Sequence, residues 1–242
     1  MEQYSGEHVA AIFAMVCAGA LAVWLARTAG RRRAERAAPV LALVIAGAYL
    51  TEHLTYAARG EWTASVNLPF HLSDAVTLVA IAALCRPQTP LLVEALFYWA
   101  FSASLQAVLT PSIDEPFPDV LYFTYFTTHG GAIVAACLLV LGCRRLPRRG
   151  AVLRVYALTL VFAGLAGAAS AVTGGNYMFL RAKPPRASLL DLMGPWPWYI
   201  LTGAVIALAV LLALAALVEA LRRERGPGPA EGAAGTGSRT PS

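Results

Sequence analysis

The chain has 242 residues, of which 58% are hydrophobic and only 14% are charged, with a net charge of +5 and a mean hydropathy of +0.60. A soluble domain usually carries about 25% charged residues, so this composition excludes an ordinary water-soluble domain. The apolar residues form long blocks and do not alternate with polar ones, so the sequence predicts membrane-spanning helices instead of a membrane barrel.

The basic residues are 18 arginines and Lys183, and they lie between the apolar blocks. A basic surplus can indicate a nucleic-acid partner, but this arrangement favours a membrane protein. We therefore predict membrane lipids as partners and no nucleic acid, and the sequence indicates no oligomeric state. The abundance of Ala and Arg is typical of a GC-rich bacterial genome. Together with the apolar blocks, it predicts a multi-pass protein of the bacterial cytoplasmic (inner) membrane.

The predicted fold is all-α, a seven-transmembrane-helix bundle that forms one domain over residues 1–221. Proline and glycine residues mark the breaks between the helices. The predicted helices cover about 9–26, 39–58, 69–85, 91–109, 121–142, 152–173 and 196–221. Residues 222–242 are rich in Gly, Pro, Ala, Ser and Thr and cannot bury enough apolar surface to fold, which predicts a disordered cytoplasmic tail.

The distribution of basic residues predicts the orientation of the bundle, because Arg and Lys are concentrated in cytoplasmic loops. With alternating helices, 15 of the 19 basic residues fall on one side. The other side holds only Arg59, Arg181, Lys183 and Arg186. The N-terminus is therefore predicted outside and the C-terminus in the cytoplasm, as an odd number of helices requires.

Several ionisable residues fall inside predicted helices, where their cost in lipid favours a functional role. Glu52 lies near the outer end of the second helix. His71, Ser73 and Asp74 begin the third, and His71 and Asp74 share a helix face because they are three residues apart. In the fifth helix, His129 lies about 12 Å below the helix start at 1.5 Å per residue, one turn beyond Tyr125.

Further polar groups are predicted on the same side of the membrane. Gln106 continues a stripe of polar residues spaced four apart, which begins at Glu94. The loop at 174–195 supplies Asn176 and Tyr177. Together these residues predict one outward-facing polar pocket, with Gln106, Asn176, Tyr177, Tyr125 and Glu52 as substrate-binding groups.

Each of these residues also has a purely structural interpretation. Glu52 can reach the membrane interface, Ser73 and Asp74 can cap a helix, and Gln106 can bridge two helices. Glu94 lies close to the cytoplasmic end, where snorkelling to the interface is expected. His129 is the hardest to explain structurally, because it lies deep in the span on a stripe of tyrosines.

Two kinds of chemistry fit the residue types. Two buried histidines and nearby carboxylates suit a zinc site, but no HxxxH or HExxH pair occurs, and we predict no metal and no cofactor. Ser73, His129 and one of Glu52 or Asp74 are the residue types of a Ser-His-acid nucleophilic site. No GxSxG nucleophile elbow accompanies them.

Several stretches resemble the YwaF-like family of bacterial integral membrane proteins. They are the LPFHLSD segment at 68–74, SLQAVLTP at 104–111, His129-Gly130, and the run from Gly175 to Tyr199 that ends in GPWPWY. The resemblance covers about residues 40–220. That family is similar to the eukaryotic transmembrane protein 164, which is described as a phospholipid acyltransferase acting through a cysteine and a histidine. The resemblance implies that His129 is the histidine and that Ser73 stands where the cysteine is expected.

Two hypotheses of function follow. In the first, the protein is a lipid-acyl transferase or hydrolase, with His129 as acid/base, Ser73 or His71 as the nucleophilic centre, and Gln106 or Asn176 donating to the oxyanion. In the second, the same groups form the site of a small-molecule or ion transporter or binding protein. The cytoplasmic half is nearly all Ala, Leu and Val, which favours an outward-facing site without a through-path.

The charge asymmetry predicts that a fluorescent protein that folds only in the cytoplasm gives signal when fused to the C-terminus. The same reporter inserted in the loop at 110–120 is expected to stay dark, because that loop faces outward. Cell fluorescence normalised to the amount of fusion protein measures both. A dark C-terminal fusion together with a bright loop fusion contradicts the predicted topology.

Overall fold

The computed structural model describes residues 4–111, 113–184 and 188–223, and it is built of α-helices. Seven main helices occur in these ranges: α1 Gly6–Ala29, α2 Arg31–Ala58, α3 Leu72–Cys85, α4 Pro90–Leu109, α5 Val120–Gly142, α6 Ala151–Thr173 and α7 Trp198–Arg223. Two short 3₁₀ helices, Tyr177–Phe179 and Leu189–Met193, lie between α6 and α7. The predicted tail at 222–242 lies outside the described residues, apart from Arg222 and Arg223, which end α7.

Six of these helices are long and apolar enough to cross a bilayer, and α3 is a shorter apolar helix. The chain is therefore an all-α polytopic membrane protein. The predicted third span is only partly confirmed, because α3 has 14 residues and is about 21 Å long at 1.5 Å per residue, shorter than the roughly 30 Å hydrocarbon core. The predicted start at Pro69 was wrong because the backbone is extended at His71, which precedes the first helical turn.

The second helix begins eight residues earlier than the sequence predicted. Pro39 was interpreted as the start of a helix, but it lies inside α2, and only Gly30 separates α1 from α2. Proline lacks the N–H that would bond to the carbonyl four residues before it. The segment before Pro39 nevertheless stays helical because Ala, Arg and Glu are good helix formers and because Glu35 pairs with Arg31 at 3.7 Å and with Arg145 at 2.6 Å.

Helices α4 and α5 form the centre of the bundle. In their most apolar 18-residue windows, 56% and 61% of the residues are buried, against 6% for α7. Two glycines let α5 approach its neighbours closely. A Cβ on Gly131 would lie 2.9 Å from Ile45 of α2, and one on Gly130 would lie 3.3 Å from Met15 of α1. The dipeptide that follows His129 is thus explained by helix packing.

Both central helices contain a π-helical segment, at Ala100–Ser104 in α4 and at Cys137–Gly142 in α5. Such turns are rare in proteins as a whole, but those that occur are frequently located at functional sites. The segment in α4 has a direct effect on the predicted polar stripe. Its wider turns rotate the following residues relative to an α-helix, so Gln106 no longer lies below Glu94 on one face.

One end of the bundle, called the basic end below, is held by a buried carboxylate. Glu94 of α4 is 1% exposed and accepts hydrogen bonds from both the backbone and side chain of Arg148, with the Arg148 Nε atom at 2.7 Å. It also accepts two hydrogen bonds from Arg154 of α6, at 2.9 and 3.0 Å. The expectation that Glu94 snorkels was wrong, because two arginines reach the carboxylate inside the protein.

The other end of the bundle, called the N-terminal end, is held by side chains that bond to backbone carbonyls. His8 of α1 is fully buried, and its Nε2 lies 2.7 Å from the carbonyl oxygen of Val108. Tyr122 donates to the carbonyl of Glu7 at 2.7 Å. Outside the spans, the Leu121 N–H and the Arg59 guanidinium hold the pKa of Asp119 below its usual value.

Replacing Glu94 by Gln is expected to lower the free energy of unfolding by about 2–3 kcal/mol, because two arginines then lose their counter-charge. This loss of stability is at the low end for breaking a buried ion pair. The Arg148 and Arg154 side chains are 52% and 38% exposed, so water can solvate their charges in the variant. Unfolding by sodium dodecyl sulfate in mixed micelles measures it. The control Glu219→Gln, in a pair 3.8 Å apart, should lose less than about 1 kcal/mol. Equal losses in the two variants would contradict the anchoring role.

Candidate functional site

The first cluster of predicted site residues surrounds His71. The carboxylate of Asp74 accepts a hydrogen bond from the backbone N–H of His71 at 3.2 Å, one helical turn along. The ring of His71 packs 5.2 Å from the ring of Tyr177 and 5.8 Å from that of Phe179, measured between centroids. The Met178 N–H donates to the His71 Nδ1 at 3.3 Å. His71 is therefore held by the loop that follows α6.

The carboxylates of Glu52 and Asp74 belong to the same cluster. They lie on α2 and α3, two helices that pack against each other. Both residues are partly buried.

The loop after α6 is built by Asn176 and Tyr177. The Asn176 side chain donates to the Ala182 carbonyl at 2.7 Å and accepts from the N–H groups of Arg181 and Ala182. The Tyr177 hydroxyl donates to the Ala64 carbonyl at 2.6 Å and accepts from the Leu68 N–H at 3.1 Å. Both side chains thus use their polar atoms within the protein, which is the arrangement expected of structural residues.

The same loop carries the strongest backbone distortion near a predicted site residue. Met178 and Phe179 both have positive φ, 52° and 56°, although neither is a glycine. Residues in this region persist only where surrounding contacts hold them, and they cluster at functional sites. The contacts come from the GPWPWY stretch: the Trp196 indole donates to the Leu180 carbonyl at 3.2 Å, and the Tyr199 hydroxyl donates to the Phe179 carbonyl.

The second cluster contains His129 and Tyr125 on α5. Their ring centroids are 4.3 Å apart, and the Tyr125 hydroxyl donates to the Ala107 carbonyl of α4 at 2.8 Å. The Nδ1 atom of His129 is buried and has no hydrogen-bond partner among the residues that the structure describes. A buried polar atom left without a partner is costly, so His129 is the strongest functional candidate. The rings of His71 and His129 contact different residues, so the two clusters are described separately, and the single pocket stays a prediction.

A residue that the sequence analysis did not select lies beside this cluster. Ser104 is 1% exposed, and its Oγ is also buried without a partner in the described ranges. It ends the π-helical segment of α4, which packs against both α3 and α5. A serine inside an apolar helix is common, so only the tertiary packing distinguishes Ser104 from Ser102, whose hydroxyl donates to the Tyr98 carbonyl in the same helix.

Ser73, Ser104 and His129 each lie a similar number of residues along their own helix from its terminus at the basic end. Ser73 is 12 residues from the end of α3 at Cys85, His129 is 13 from the end of α5 at Gly142, and Ser104 is 14 from the start of α4 at Pro90. At 1.5 Å per residue, these spacings correspond to about 18–21 Å along each helix. Ser73 also shares a face of α3 with the buried residues Thr77, Ala80 and Leu84, so it points into the bundle.

Gln106 does not share this interior position. Gln106 is exposed and follows the π-helical segment that shifts the register of α4. In the described part of the chain, no group of three or more His, Cys, Asp or Glu is placed to hold a metal ion. The chemistry that the interior residues can perform is proton transfer and nucleophilic attack: a histidine ring nitrogen with two serine hydroxyls on neighbouring helices.

An apolar groove of about 720 Å³ runs between α1, α2 and α5. Its walls are formed by small residues of α1 and by Phe126, Gly130 and Gly131 of α5, and Glu7 and Tyr122 lie at its N-terminal end. The α1 residues that line it extend from Gly6 to Ala18, about 18 Å at 1.5 Å per residue. That length is close to one leaflet of the hydrocarbon core, about 15 Å, and the volume is in the range of ligand pockets.

The comparison with known protein families gives one match. The sequence profile of the TMEM164 family matches residues 3–215, which is nearly the whole described chain. No match was found among curated proteins or among solved structures.

Replacing Tyr177 by Phe is expected to lower the free energy of unfolding by about 1–3 kcal/mol, because the Ala64 carbonyl and the Leu68 N–H lose their partner in a buried site. Tryptic cleavage after Arg59 should become faster as the loop at 59–71 loosens. The control is Tyr56→Phe, whose hydroxyl makes no hydrogen bond within the described residues. If Tyr177→Phe matches the control in both assays, the tyrosine does not hold the loop.

Proposed function

Because the chain belongs to the TMEM164 family, we propose that it is a membrane-embedded enzyme that transfers or hydrolyses the acyl group of a lipid ester. The observation that carries the proposal is the unpartnered Nδ1 atom of His129, which is buried in a spanning helix. His129 acts as the general acid/base. The resemblance of the chain to a family described as acting through a histidine at this position supports the same role.

Histidine suits this role because its ordinary pKa lies near neutrality, so it can accept and return a proton without large tuning. In the proposed step, a serine Oγ attacks the carbonyl carbon of the ester while its proton passes to a ring nitrogen of His129. The ester C–O bond then breaks, and the alcohol leaves with that proton. A second alcohol, or water, takes the acyl group from the serine by the reverse sequence.

Two serines are candidates for the nucleophile. Ser73 stands where the resemblance leads us to expect a cysteine, and it is the second residue of α3, where backbone N–H groups and the helix dipole favour developing negative charge. Ser104 is buried with an unpartnered hydroxyl. A serine hydroxyl is a weak nucleophile without a base, and in the proposed mechanism His129 is the base for whichever serine attacks.

The groove between α1, α2 and α5 is the proposed path for a lipid, because Gly130 and Gly131, which directly follow His129, line it. Its walls are almost entirely hydrocarbon, and it lies along α1, a helix in which only 11% of the most apolar window is buried. With the predicted topology it faces the outer leaflet. At the basic end, Glu94 and its two arginines fill the space between α4 and α6, which favours a one-sided lipid site over a transport path.

We expect His129→Ala to reduce the lipid product to the level of cells without the gene, because loss of a catalytic base typically costs several orders of magnitude in rate. Untargeted lipidomics of expressing cells measures the product, with membrane insertion checked by a fluorescent C-terminal fusion. The matched control is His53→Ala, a half-buried histidine at the end of α2 that accepts a hydrogen bond from Trp62; it should behave as wild type. A wild-type lipid profile in His129→Ala sinks the proposal.

The serine variants identify the nucleophile in the same assay. If Ser73 is the nucleophile, Ser73→Ala should abolish the product, and if Ser104 is the nucleophile, Ser104→Ala should abolish it. Ser73→Cys should retain or raise activity because a thiolate forms more readily at neutral pH. If both alanine variants stay active, no serine–acyl intermediate forms at these positions. If purified protein in vesicles moves a solute and leaves every lipid ester intact, a transport or binding function replaces the enzymatic one.

A further inference from the structure

A second cavity, of about 370 Å³, opens at the basic end between the start of α6 and the end of α7. None of the proposed catalytic residues lines it. Arg148 and Arg149 line it from the loop before α6, Arg222 and Glu219 line it from α7, and Tyr98 lines it from α4. The cavity therefore brings together three separate parts of the chain, two of which supply charged residues.

The charged mouth of this cavity carries a net positive charge. Arg148 is already paired with Glu94, which leaves Arg149 and Arg222 facing the single carboxylate of Glu219. Glu219 is only a loose partner: its carboxylate lies 3.8 Å from Arg149 and 3.4 Å from the Arg222 Nε. One terminal amino group of Arg222 donates to the Pro147 carbonyl, whereas its buried Nε makes no hydrogen bond within the described residues. No side chain caps the start of α6 after Gly150, so the positive end of its helix dipole adds to the field. These features suit an anion with several acceptor oxygens.

The inner part of the cavity is apolar. Ala215, Ala216, Val218 and Val152 line it beyond the arginines, and Ala215 lies seven residues before Arg222, about 10 Å deeper at 1.5 Å per residue. The flanking helices α6 and α7 are largely exposed, with 17% and 6% of their most apolar windows buried. A free phosphate ion would use only the mouth, whereas a molecule with an anionic head and an apolar tail matches the whole cavity.

We propose that this cavity binds an anionic phospholipid, with its phosphate against Arg149 and Arg222 and the first part of an acyl chain along Ala215 and Val218. Basic pockets between spanning helices at the level of the head groups are suited to such lipids. The arginine guanidinium donates two hydrogen bonds in a fixed fork that matches phosphate oxygens. The site is separate from the proposed catalytic residues and does not depend on the proposed function.

Native mass spectrometry of the full chain in detergent tests the proposal, with phosphatidylglycerol and phosphatidylcholine of identical acyl chains added in turn. Wild type should bind one phosphatidylglycerol about tenfold more tightly than phosphatidylcholine, which is about 1.4 kcal/mol in binding free energy. Both lipids carry the phosphate, but the choline cation of phosphatidylcholine cancels its charge and is repelled by the arginines. Arg222→Gln should lose that preference, whereas Arg36→Gln, an exposed arginine of α2 at the same end, should keep it.

A second pair of variants separates the lipid site from a general effect of charge or folding. Ala215→Leu fills the apolar part of the cavity and should weaken phosphatidylglycerol binding several-fold without changing any charge. Ala213→Leu, on an exposed face of the same helix outside the cavity, should bind as wild type. Equal binding by wild type and Ala215→Leu overturns the proposal, as does equal loss in Arg222→Gln and Arg36→Gln. Tight binding of inorganic phosphate without preference between the two lipids assigns the site to a free anion and overturns it as well.

Discussion

A polar group that is carried into a bilayer has to find its partner inside the protein, because lipid offers none. Most of the buried polar residues described in this chain obey that constraint. Glu94 is matched by two arginines, His8 by the Val108 carbonyl, and the buried Thr77 and Ser170 by carbonyls of their own helices. Against this background, the unpartnered atoms of His129 and Ser104 stand apart. Their location on the two central helices, where the π-helical segment of α4 packs against α5, links the constraint to the proposed chemistry.

Close helix packing is the second condition for the site. The approach of α5 to α1 and α2 depends on Gly130 and Gly131, which leave no room for a side chain against Met15 and Ile45. The loops at the N-terminal end depend on a similar approach, since a Cβ on Gly175 would lie 2.2 Å from the carbonyl oxygen of Ser65. The contacts at Gly130 and Gly131 position the turn of α5 that carries His129, and the contact at Gly175 positions the loops around His71. The glycines near the histidines are therefore part of the scaffold that carries the site.

The two ends of the bundle are stabilised in different ways, and this difference agrees with a proposed site that opens toward only one end. The basic end is joined by ion pairs, with Glu35 bound to Arg145 and Glu94 bound to Arg148 and Arg154. The N-terminal end is joined mainly by hydrogen bonds from tyrosine and histidine side chains to backbone carbonyls, and it contains the longer loops. The proposed lipid path runs along α1 from the N-terminal end, and the proposed binding cavity for an anionic phospholipid lies at the basic end.

The sequence by itself determined the fold class, the bounds of five of the six long apolar helices to within about three residues, and the strong division of charge between the two ends. These features follow from long apolar blocks and from arginines between them, which are local properties of the chain. Tertiary structure alone decided that Pro39 lies within a helix, because the Arg145–Glu35 pair comes from a distant loop. It also decided the fate of the polar stripe, since the π-helical segment in α4 exposes Gln106 and buries Ser104. Whether a buried polar residue is satisfied depends on groups supplied by other helices, and no spacing along one helix reveals them.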